Sequence, residues 1–528
     1  QKSGPRDIHT GGGAYYAGPL HIAGDFVAGD KIVMAPAVGV AALHQLPAAP
    51  ADFTGRAAEL AELRAATQNQ AVRIVGLRGL GGVGKTALAV VLANELAADY
   101  PDAQIVVDLL GTTKPLTAAA ALAAVVRAFE PVARLPEDEA GLLAAYRSVL
   151  HEKRALLLLD DAAGREQVEP LLPPPGCLLL VTSRTRFALP GLKALNLDSL
   201  PADDAVALLL KIAPRIGQRA GELAELCGRL ALALRLVGSA LAEREELEPA
   251  EYAERLSDEK RRMAELDEVA ASLSLSYGLL SEALQGLWRQ LGVWVGDFDE
   301  LAASSVWEME PEAARERLGA LLRYSLVAYD AAGRRWRLHD LARDFARSKL
   351  APAEAEAAGG RHAAHYMLAL AAANELYLQG GGDVRRGLGL FDLERANILA
   401  GWAWAAARSE EDAGAARLTG QYLAAGAQVL ALRLHPQERI RWLVIGLAVA
   451  RRAGDRGLEG QNLINLGNAY ADLGQAREAV GYLEQALVIA RETGDRMDQA
   501  NALGNLGRMV AALGEPRRAI EYHQQQLA

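Results

Sequence analysis

The 528-residue sequence has few of the features that mark secreted, zinc-binding or membrane proteins. Its two cysteines, Cys177 and Cys227, are too few for a disulfide framework and cannot form a zinc site alone. No uncharged apolar run reaches the roughly 18 residues of a membrane helix. No basic start followed by an apolar core marks a signal peptide. We therefore expect a cytoplasmic protein without membrane contact.

The sequence also lacks excess positive charge. Its 56 basic and 66 acidic residues give a formal net charge of −10, which argues against a nucleic-acid binder held by bulk electrostatics. A composition of 51% hydrophobic and 23% charged residues excludes bulk disorder. At about 150 residues per domain, the length predicts three to four domains. Because residue 1 is glutamine and the last helix stops abruptly at Ala528, we expect a fragment of a longer protein.

Changes in composition along the chain divide it into segments. Glycine-punctuated apolar pieces predict short strands or turns near the start, and alternating strand and helix patterns follow. Later segments have helical periodicity throughout. The predicted segments are a Gly-rich arm with a Pro/Ala linker (1–50), a nucleotide-binding domain (51–200), a helical domain (201–268), a winged-helix domain (269–352), a helical connector of atypical repeats (353–437) and helical repeats (438–528).

Four short apolar runs in 51–200 predict a parallel β-sheet. They lie at 71–77, 104–109, 155–160 and 177–182, and Ala/Leu-rich helical segments separate them. Strands covered by helices on both faces have this pattern. After Pro201 the patterns predict helices at 203–212, 221–241 and 249–266. Two short strands within 326–338, joined by a glycine-containing turn, predict the hairpin of a winged helix.

The C-terminal part contains an internal repeat of 40 residues. Gly454-Asp455-Arg456 recurs as Gly494-Asp495-Arg496, and Asn465-Leu466-Gly467 recurs as Asn505-Leu506-Gly507. Small residues at these positions let paired helices approach closely. The pattern resembles the tetratricopeptide repeat in a 40-residue form, in which stacked helix pairs build a solenoid.

The strongest motif follows the first predicted strand and opens a helix. It fits G-x-x-x-x-G-K-[ST], the phosphate-binding loop, or P-loop. Glycines let the backbone N–H groups converge on phosphates, and the helix N-terminus adds a positive dipole end. The lysine should reach the β- and γ-phosphates, and the threonine hydroxyl should bind Mg²⁺. The alternative is a glycine-rich turn with a surface lysine. The motif is Gly79-Leu80-Gly81-Gly82-Val83-Gly84-Lys85-Thr86.

Two acidic residues end the third apolar run. Asp160 and Asp161 follow five apolar residues, as in a Walker B strand. Asp160 is expected beside the Mg²⁺ ion, and Asp161 is the candidate base that polarises water. The alternative is a strand that runs into a solvated turn.

The fourth apolar run ends in Thr182-Ser183-Arg184. A strand of this kind places a hydroxyl and a guanidinium at the carboxyl edge of the sheet. Arg184 could then detect a γ-phosphate through bidentate hydrogen bonds. The alternative is an exposed arginine in a local ion pair.

With these motifs in order, residues 50–350 resemble the NB-ARC module of STAND-class signalling NTPases, relatives of plant disease-resistance proteins and apoptosome scaffolds. The resemblance implies an ASCE-type α/β P-loop NTPase, a helical domain and a winged helix, followed by the α-solenoid. Phe53 and Arg56 resemble the family segment that packs beside adenine. Residues 227–234 resemble its Gly-Leu-Pro-Leu motif. Ala231 stands where the family has the proline, so contact with the base is expected through Leu230.

Leu338-His339-Asp340 resembles the family's Met-His-Asp motif. The family's histidine binds the β-phosphate of ADP and so ties the winged helix to the nucleotide domain. The alternative for His339 is an ordinary N-cap at a junction between strand and helix.

The resemblance implies a signalling switch driven by ADP, or ATP with Mg²⁺. It would be a closed monomer with ADP, and would open and self-associate when a protein or small molecule binds the repeats. Slow ATP hydrolysis would reset it. We expect no nucleic-acid or membrane partner. The alternatives are a transcriptional regulator of the same architecture and a non-catalytic scaffold stabilised by nucleotide; an AAA+ motor fits less well.

Overall fold

A computed structural model describes residues 43–68, 73–112, 115–133, 135–136, 138–262 and 268–527. These residues form two compact units, one that ends at His365 and one that begins at Tyr366. Most of the predicted arm and linker, residues 1–42, lies outside the described part of the chain. The domain boundaries given above stay predictions.

The first unit contains a five-stranded parallel sheet in the order β2-β3-β4-β1-β5. Its apolar strands are buried because helices cover both faces, which confirms the predicted α/β fold. The sequence patterns missed the edge strand β5. The strands are β1 (Ile74–Arg78), β2 (Ala103–Asp108), β3 (Ala155–Ala162), β4 (Leu178–Ser183) and β5 (Leu192–Asn196). The helices are α1 (Ala57–Gln68), α2 (Lys85–Leu96), α3 (Ala118–Phe129), α4 (Glu139–Leu150) and α5 (Arg165–Val168).

The strand order brings the predicted motifs to one edge of the sheet. Strand β4 lies between β1, which leads into the P-loop, and β3, which ends in the two acidic residues. Parallel strands share the direction of their carboxyl ends, where ligands of such sheets bind. A register shift between Leu159 and Ala162 of β3 bulges the backbone at Asp160 and Asp161. The two carboxylates therefore point to different neighbours.

Helices follow the sheet: α6 (Ala202–Ile212), α7 (Ala220–Leu226), α8 (Ala231–Glu243) and α9 (Pro249–Arg262). The single helix predicted for 221–241 is wrong, since α7 and α8 are separate. Gly228 and Arg229 have φ values of 58° and 54°. This left-handed backbone ends α7 and sets the direction of α8.

The predicted winged helix follows. Its elements are α10 (Glu268–Gly278), α11 (Glu282–Gln290), α12 (Glu300–Trp307), α13 (Pro311–Arg323), β6 (Ala328–Asp330), β7 (Arg335–Arg337) and α14 (Asp340–Lys349). Phe298 forms an isolated antiparallel bridge with Trp336 of the hairpin, through two backbone hydrogen bonds of 2.9 and 2.7 Å. The buried Trp288 and Trp294 fill the core beneath it. The wing hairpin leads directly into α14, so the packing of the hairpin positions the start of that helix.

The second unit is helical, as predicted. Helix α15 (Pro352–Gln379) runs across the boundary, and the rest are α16 (Asp383–Arg408), α17 (Ala413–Ala425), α18 (Ala427–Arg433), α19 (Pro436–Ala453), α20 (Arg456–Asp472), α21 (Ala476–Thr493), α22 (Arg496–Ala512) and α23 (Pro516–Leu527). Gly454 and Gly494 end equivalent helices with φ of 67° and 73°. A Cβ on Gly467 would press into Leu483, so the repeat glycine allows close helix packing. No described helix is both long and apolar enough to cross a membrane.

Candidate functional site

The P-loop has the backbone that its glycines predict. Gly79, Gly82 and Gly84 have φ values of 151°, 78° and 99°, a region that side chains disfavour. The loop opens helix α2, whose N-cap, Gly84, provides no side-chain hydrogen bond. The first N–H groups of a helix have no partner within it, so they can bind an anion. The loop therefore forms a cradle of backbone donors suited to phosphate.

Lys85 lies inside this cradle. Its Nζ donates hydrogen bonds to the carbonyl oxygens of Gly79 (3.0 Å) and Leu80 (2.8 Å). Burial, followed by the charge of Arg184, lowers the pKa of Lys85 to about 8. A neighbouring phosphate would favour the charged ammonium and oppose this lowering. The lysine therefore fits an anionic ligand.

Thr86 and Asp160 meet at the predicted magnesium position. Thr86 Oγ1 donates to Asp160 Oδ1 at 2.8 Å, and its distance to Oδ2 is 3.2 Å. Thr182 Oγ1 also donates to Asp160 Oδ1, at 2.5 Å. A hydroxyl and a carboxylate oxygen are hard ligands of the kind that Mg²⁺ prefers beside phosphates. This pair would hold the ion.

Asp161 points away from that pair. Its Oδ2 accepts hydrogen bonds from the backbone N–H (2.9 Å) and the hydroxyl (2.8 Å) of Thr112, which follows β2. Its backbone has a φ of 51°, and its N–H donates to Thr182 Oγ1 at 2.9 Å. Thr112 carries no motif, so the sequence patterns missed it. It reaches Asp161 only because β2 pairs with β3.

Arg184 joins the sheet edge to the winged helix. Its Nη2 lies 3.4 Å from Asp340 Oδ2, and its Nε lies 3.9 Å from Asp161 Oδ1. Such contacts are the local ion pairs named above as the alternative role of Arg184. Their length indicates loose pairing. A Cβ placed on Gly81 would lie 3.3 Å from Arg184 Nη1. The guanidinium is therefore next to the P-loop, where it could also reach a phosphate.

His339 is the N-cap of α14. Its Nδ1 accepts a hydrogen bond from the N–H of Leu341 at 3.2 Å. Burial lowers the pKa of His339 to about 4, so the ring is neutral at physiological pH. A neutral ring that accepts at Nδ1 carries its proton at Nε2. The N-cap role and a hydrogen bond from Nε2 to a ligand are therefore compatible.

Contacts from α8 and α14 flank the P-loop. The N–H of Leu232 donates to Gly82 O at 3.0 Å. Leu230 is the buried N-cap residue of α8. Ala231 lies beside the loop, because a Cβ placed on Gly84 would be 3.7 Å from the Cβ of Ala231. On the other side, Leu341 would lie 3.2 Å from a Cβ on Gly81. The P-loop is thus enclosed by the helical domain and the winged helix.

The segment before α1 is held against the same loop. Arg56 is buried, and its Nη2 donates to the carbonyl oxygens of Asp198 (2.5 Å) and Val83 (3.3 Å). The carbonyl of Phe53 lies 3.5 Å from Lys211 Nζ of α6. Arg56 therefore fixes this segment to the P-loop, whereas Phe53 contacts the helical domain.

Asp108, at the end of β2, is a second residue that sequence reasoning missed. It pairs in register with Asp160 of β3. Burial and the charge of Asp160 raise the pKa of Asp108 to about 7. Asp108 and His339 are exposed to solvent, although both are surrounded by protein atoms.

Two family models match the chain. The tetratricopeptide repeat model matches residues 458–528, and the NB-ARC domain model matches residues 59–214, which contain the P-loop, both acidic residues and Arg184. The chain combines an NB-ARC domain with tetratricopeptide repeats. This confirms the architecture that the resemblance implied. The NB-ARC domain is a nucleotide-binding module of signalling NTPases, which agrees with the cradle around Lys85.

Curated relatives include proteins of Streptomyces and Mycobacterium that are named as regulators. The regulatory protein AfsR of Streptomyces griseus is 39% identical over 321 residues, which cover 58% of this chain and 33% of AfsR. A protein of Mycobacterium bovis that is named as an HTH-type transcriptional regulator is 31% identical over 359 residues, which cover 63% of this chain and 40% of that protein. The chain thus spans about a third of the length of AfsR and two fifths of the mycobacterial relative.

One solved structure is similar to this chain. It is a STAND protein with a tetratricopeptide repeat sensor from Pyrococcus horikoshii, with a TM-score of 0.41 and 17% identity. The likeness covers 91% of this chain and 84% of that one.

Proposed function

We propose that this protein is a nucleotide-dependent signalling switch, closed when its NB-ARC domain holds ADP and open when it holds ATP. The observation that carries the proposal is the enclosure of one P-loop by two other domains. Leu232 of α8 contacts Gly82, and Leu341 of α14 lies against Gly81. A nucleotide in this cradle would touch elements that can separate, so its phosphates can control whether they do.

The direct test is the identity of the bound nucleotide. We expect the purified protein to carry ADP, released by denaturation and identified by chromatography or mass spectrometry. Protein purified without any adenine nucleotide, and with an unchanged hydrodynamic radius when ADP or ATP is added, would contradict the proposal.

His339 holds the closed form in this proposal. The Nε2–H that its N-cap geometry leaves available would donate to the β-phosphate of ADP. To shift the equilibrium between closed and open forms from 1:99 to 99:1, ligands must bind the favoured form more tightly than the other by about 5.5 kcal/mol. Contacts to phosphate and ligand binding at the repeats would together supply this energy.

Substitution of His339 tests the proposed hydrogen bond to the β-phosphate. His339→Ala is expected to lower ADP retention about tenfold and to favour self-association, because one hydrogen bond to a charged phosphate is lost. ADP content after dialysis and mass from light scattering would measure both effects.

The matched control for His339→Ala is His339→Asn. An asparagine side chain keeps the N-cap of α14 but lacks the Nε2 donor. We expect His339→Asn to lose ADP as well. Normal ADP retention in His339→Asn would show that the residue acts only as a cap.

Arg184 is proposed as the sensor of the γ-phosphate. Its loose pairs with Asp161 and Asp340 can be exchanged for a phosphate, which would offer two oxygens to the guanidinium fork. Arg184→Ala is therefore expected to weaken ATP binding about tenfold and to leave ADP binding unchanged. Calorimetric titration with each nucleotide would measure the difference. Equal loss for ADP and ATP would remove the sensor role.

Hydrolysis of ATP would reset the switch. Thr86 and Asp160 would bind Mg²⁺, which would neutralise charge on the phosphates when bound. Asp161 is the proposed base for the attacking water. We expect turnover to be slow, because hydrolysis only resets the switch.

The repeats are proposed to receive the signal. A cleft of about 220 Å³ between α20, α21 and α22 is lined by residues that include Gly460, Thr493 and Asp498. Burial and the charge of Asp495 raise the pKa of Asp498 to about 6. This volume suits one side chain of a protein or peptide better than a whole small molecule. Ligand binding at the repeats would then favour the open form.

A transcriptional regulator is the second candidate function. The names of the curated relatives favour it, and the net charge of −10 does not rule out a DNA-binding segment in a longer protein. DNA retention that falls steeply with salt would support it.

A further inference from the structure

The carboxylate of Asp161, the candidate base, is hydrogen-bonded on one oxygen and faces an arginine with the other. Oδ2 accepts two hydrogen bonds from Thr112, and Oδ1 faces Arg184. A general base needs an oxygen that can accept a proton from the attacking water. In this arrangement Thr112 occupies Oδ2, and the Arg184 guanidinium, 3.9 Å from Oδ1, competes with such a water for the other oxygen. The carboxylate is therefore restrained in this structure.

The hold on Asp161 comes from a fixed loop. The N–H of Gly111 donates to the carbonyl oxygen of Asp161 at 2.7 Å. A Cβ on Gly111 would overlap the backbone of Asp161 and Ala163, so only glycine allows this approach. The loop after β2 lies directly against the end of β3, and Thr112 is the next residue. The sheet thus places the backbone N–H of Thr112 against Asp161, and the exposed hydroxyl of Thr112 adds the second hydrogen bond.

The winged helix shares the same partners. Asp340 Oδ2 lies 3.4 Å from Arg184 Nη2 and 3.5 Å from Thr112 Oγ1. The hydroxyl of Thr112 has one proton, and its shorter distance, 2.8 Å, is to Asp161. Asp161, Arg184, Thr112 and Asp340 thus form one cluster that includes the first residue of α14. Movement of α14 would remove Asp340 from that cluster.

We propose that Thr112 is a positioning residue that restrains Asp161 and thereby slows hydrolysis. This inference rests on the proposed ATPase function. Once α14 leaves and Arg184 binds the γ-phosphate, the hydrogen bonds from Thr112 still hold Asp161, which must break them to turn toward water. The water oxygen then bonds to the γ-phosphorus as the bond to the β–γ bridging oxygen breaks. Asp161 accepts the proton of the water and passes it to the phosphate product.

The test is Thr112→Val, which removes the hydroxyl at nearly constant volume and keeps the backbone N–H. We expect the single-turnover rate of ATP hydrolysis at saturating ATP to rise about tenfold, because Asp161 loses one hydrogen bond that restrains it. ADP and ATP affinities should stay within twofold of wild type. A hydroxyl that merely supported the fold would not raise the rate when removed. An unchanged or lower rate overturns the inference.

Two further variants make the test specific. Thr112→Ser restores the hydroxyl and should bring the rate back toward wild type. In an Asp161→Asn background, Thr112→Val should give no acceleration, and equal acceleration there would overturn the inference. A wild-type protein without hydrolysis would overturn the proposed ATPase function as well. If wild type hydrolyses ATP and Thr112→Val is no faster, only this inference is overturned.

Discussion

Replacement of Lys85 by alanine is expected to abolish nucleotide binding, with a loss of at least about 100-fold in affinity for both ADP and ATP. The ammonium is buried in the P-loop and is bound there by two carbonyl oxygens, which do not neutralise its charge. Phosphate oxygens would neutralise it, and each charge-assisted hydrogen bond lost costs about 1.5–3 kcal/mol. Equilibrium dialysis with labelled nucleotide would measure the loss.

The matched control for Lys85→Ala is Lys193→Ala. Lys193 lies on β5 of the same sheet and pairs with Glu62 at 2.7 Å, away from the P-loop. Its removal should leave nucleotide affinity unchanged. A Lys85→Ala protein that still copurifies with ADP would show that the glycine-rich loop is only a turn.

The sequence predicted the parts of the fold that are specified locally. The P-loop needs glycines at Gly79, Gly82 and Gly84 for its positive φ values, so its backbone follows from its composition. Strand β5 was missed because its residues are only partly buried at the sheet edge and form no long apolar run. The break between α7 and α8 was missed because Arg229 gives no local signal for its left-handed backbone.

Site residues that belong to sequence motifs could be predicted, whereas those brought into the site only by strand pairing could not. Thr86, Asp160 and Arg184 were expected at one edge because each follows a predicted strand or loop. Thr112 follows β2 and Asp108 ends it, and the place of β2 beside β3 is set by strand order and cannot be derived from periodicity. Their contacts with Asp161 and Asp160 span 49 and 52 positions of the chain. Such pairs become visible only in the folded sheet.

The second large effect is expected from Asp160→Asn, which should lower ATP hydrolysis at least about 100-fold. The carboxylate accepts hydrogen bonds from Thr86 and Thr182, and asparagine keeps its shape while removing the charge that would bind Mg²⁺. Loss of metal-assisted charge stabilisation costs several kcal/mol, and about 1.4 kcal/mol corresponds to each tenfold in rate. ADP binding in the presence of EDTA should change little, which separates hydrolysis from binding.

Asp102→Asn is the matched control, because Asp102 lies at the opposite edge of the same sheet. Its Oδ2 accepts a hydrogen bond from the N–H of Arg154 at 2.6 Å, just before β3 begins. Hydrolysis by Asp102→Asn should equal that of wild type. If Asp160→Asn also hydrolysed ATP at the wild-type rate across a magnesium titration, the metal would have another site. If neither wild type nor variant turned over ATP, the same nucleotide would serve only to hold the domains together, as the scaffold alternative requires.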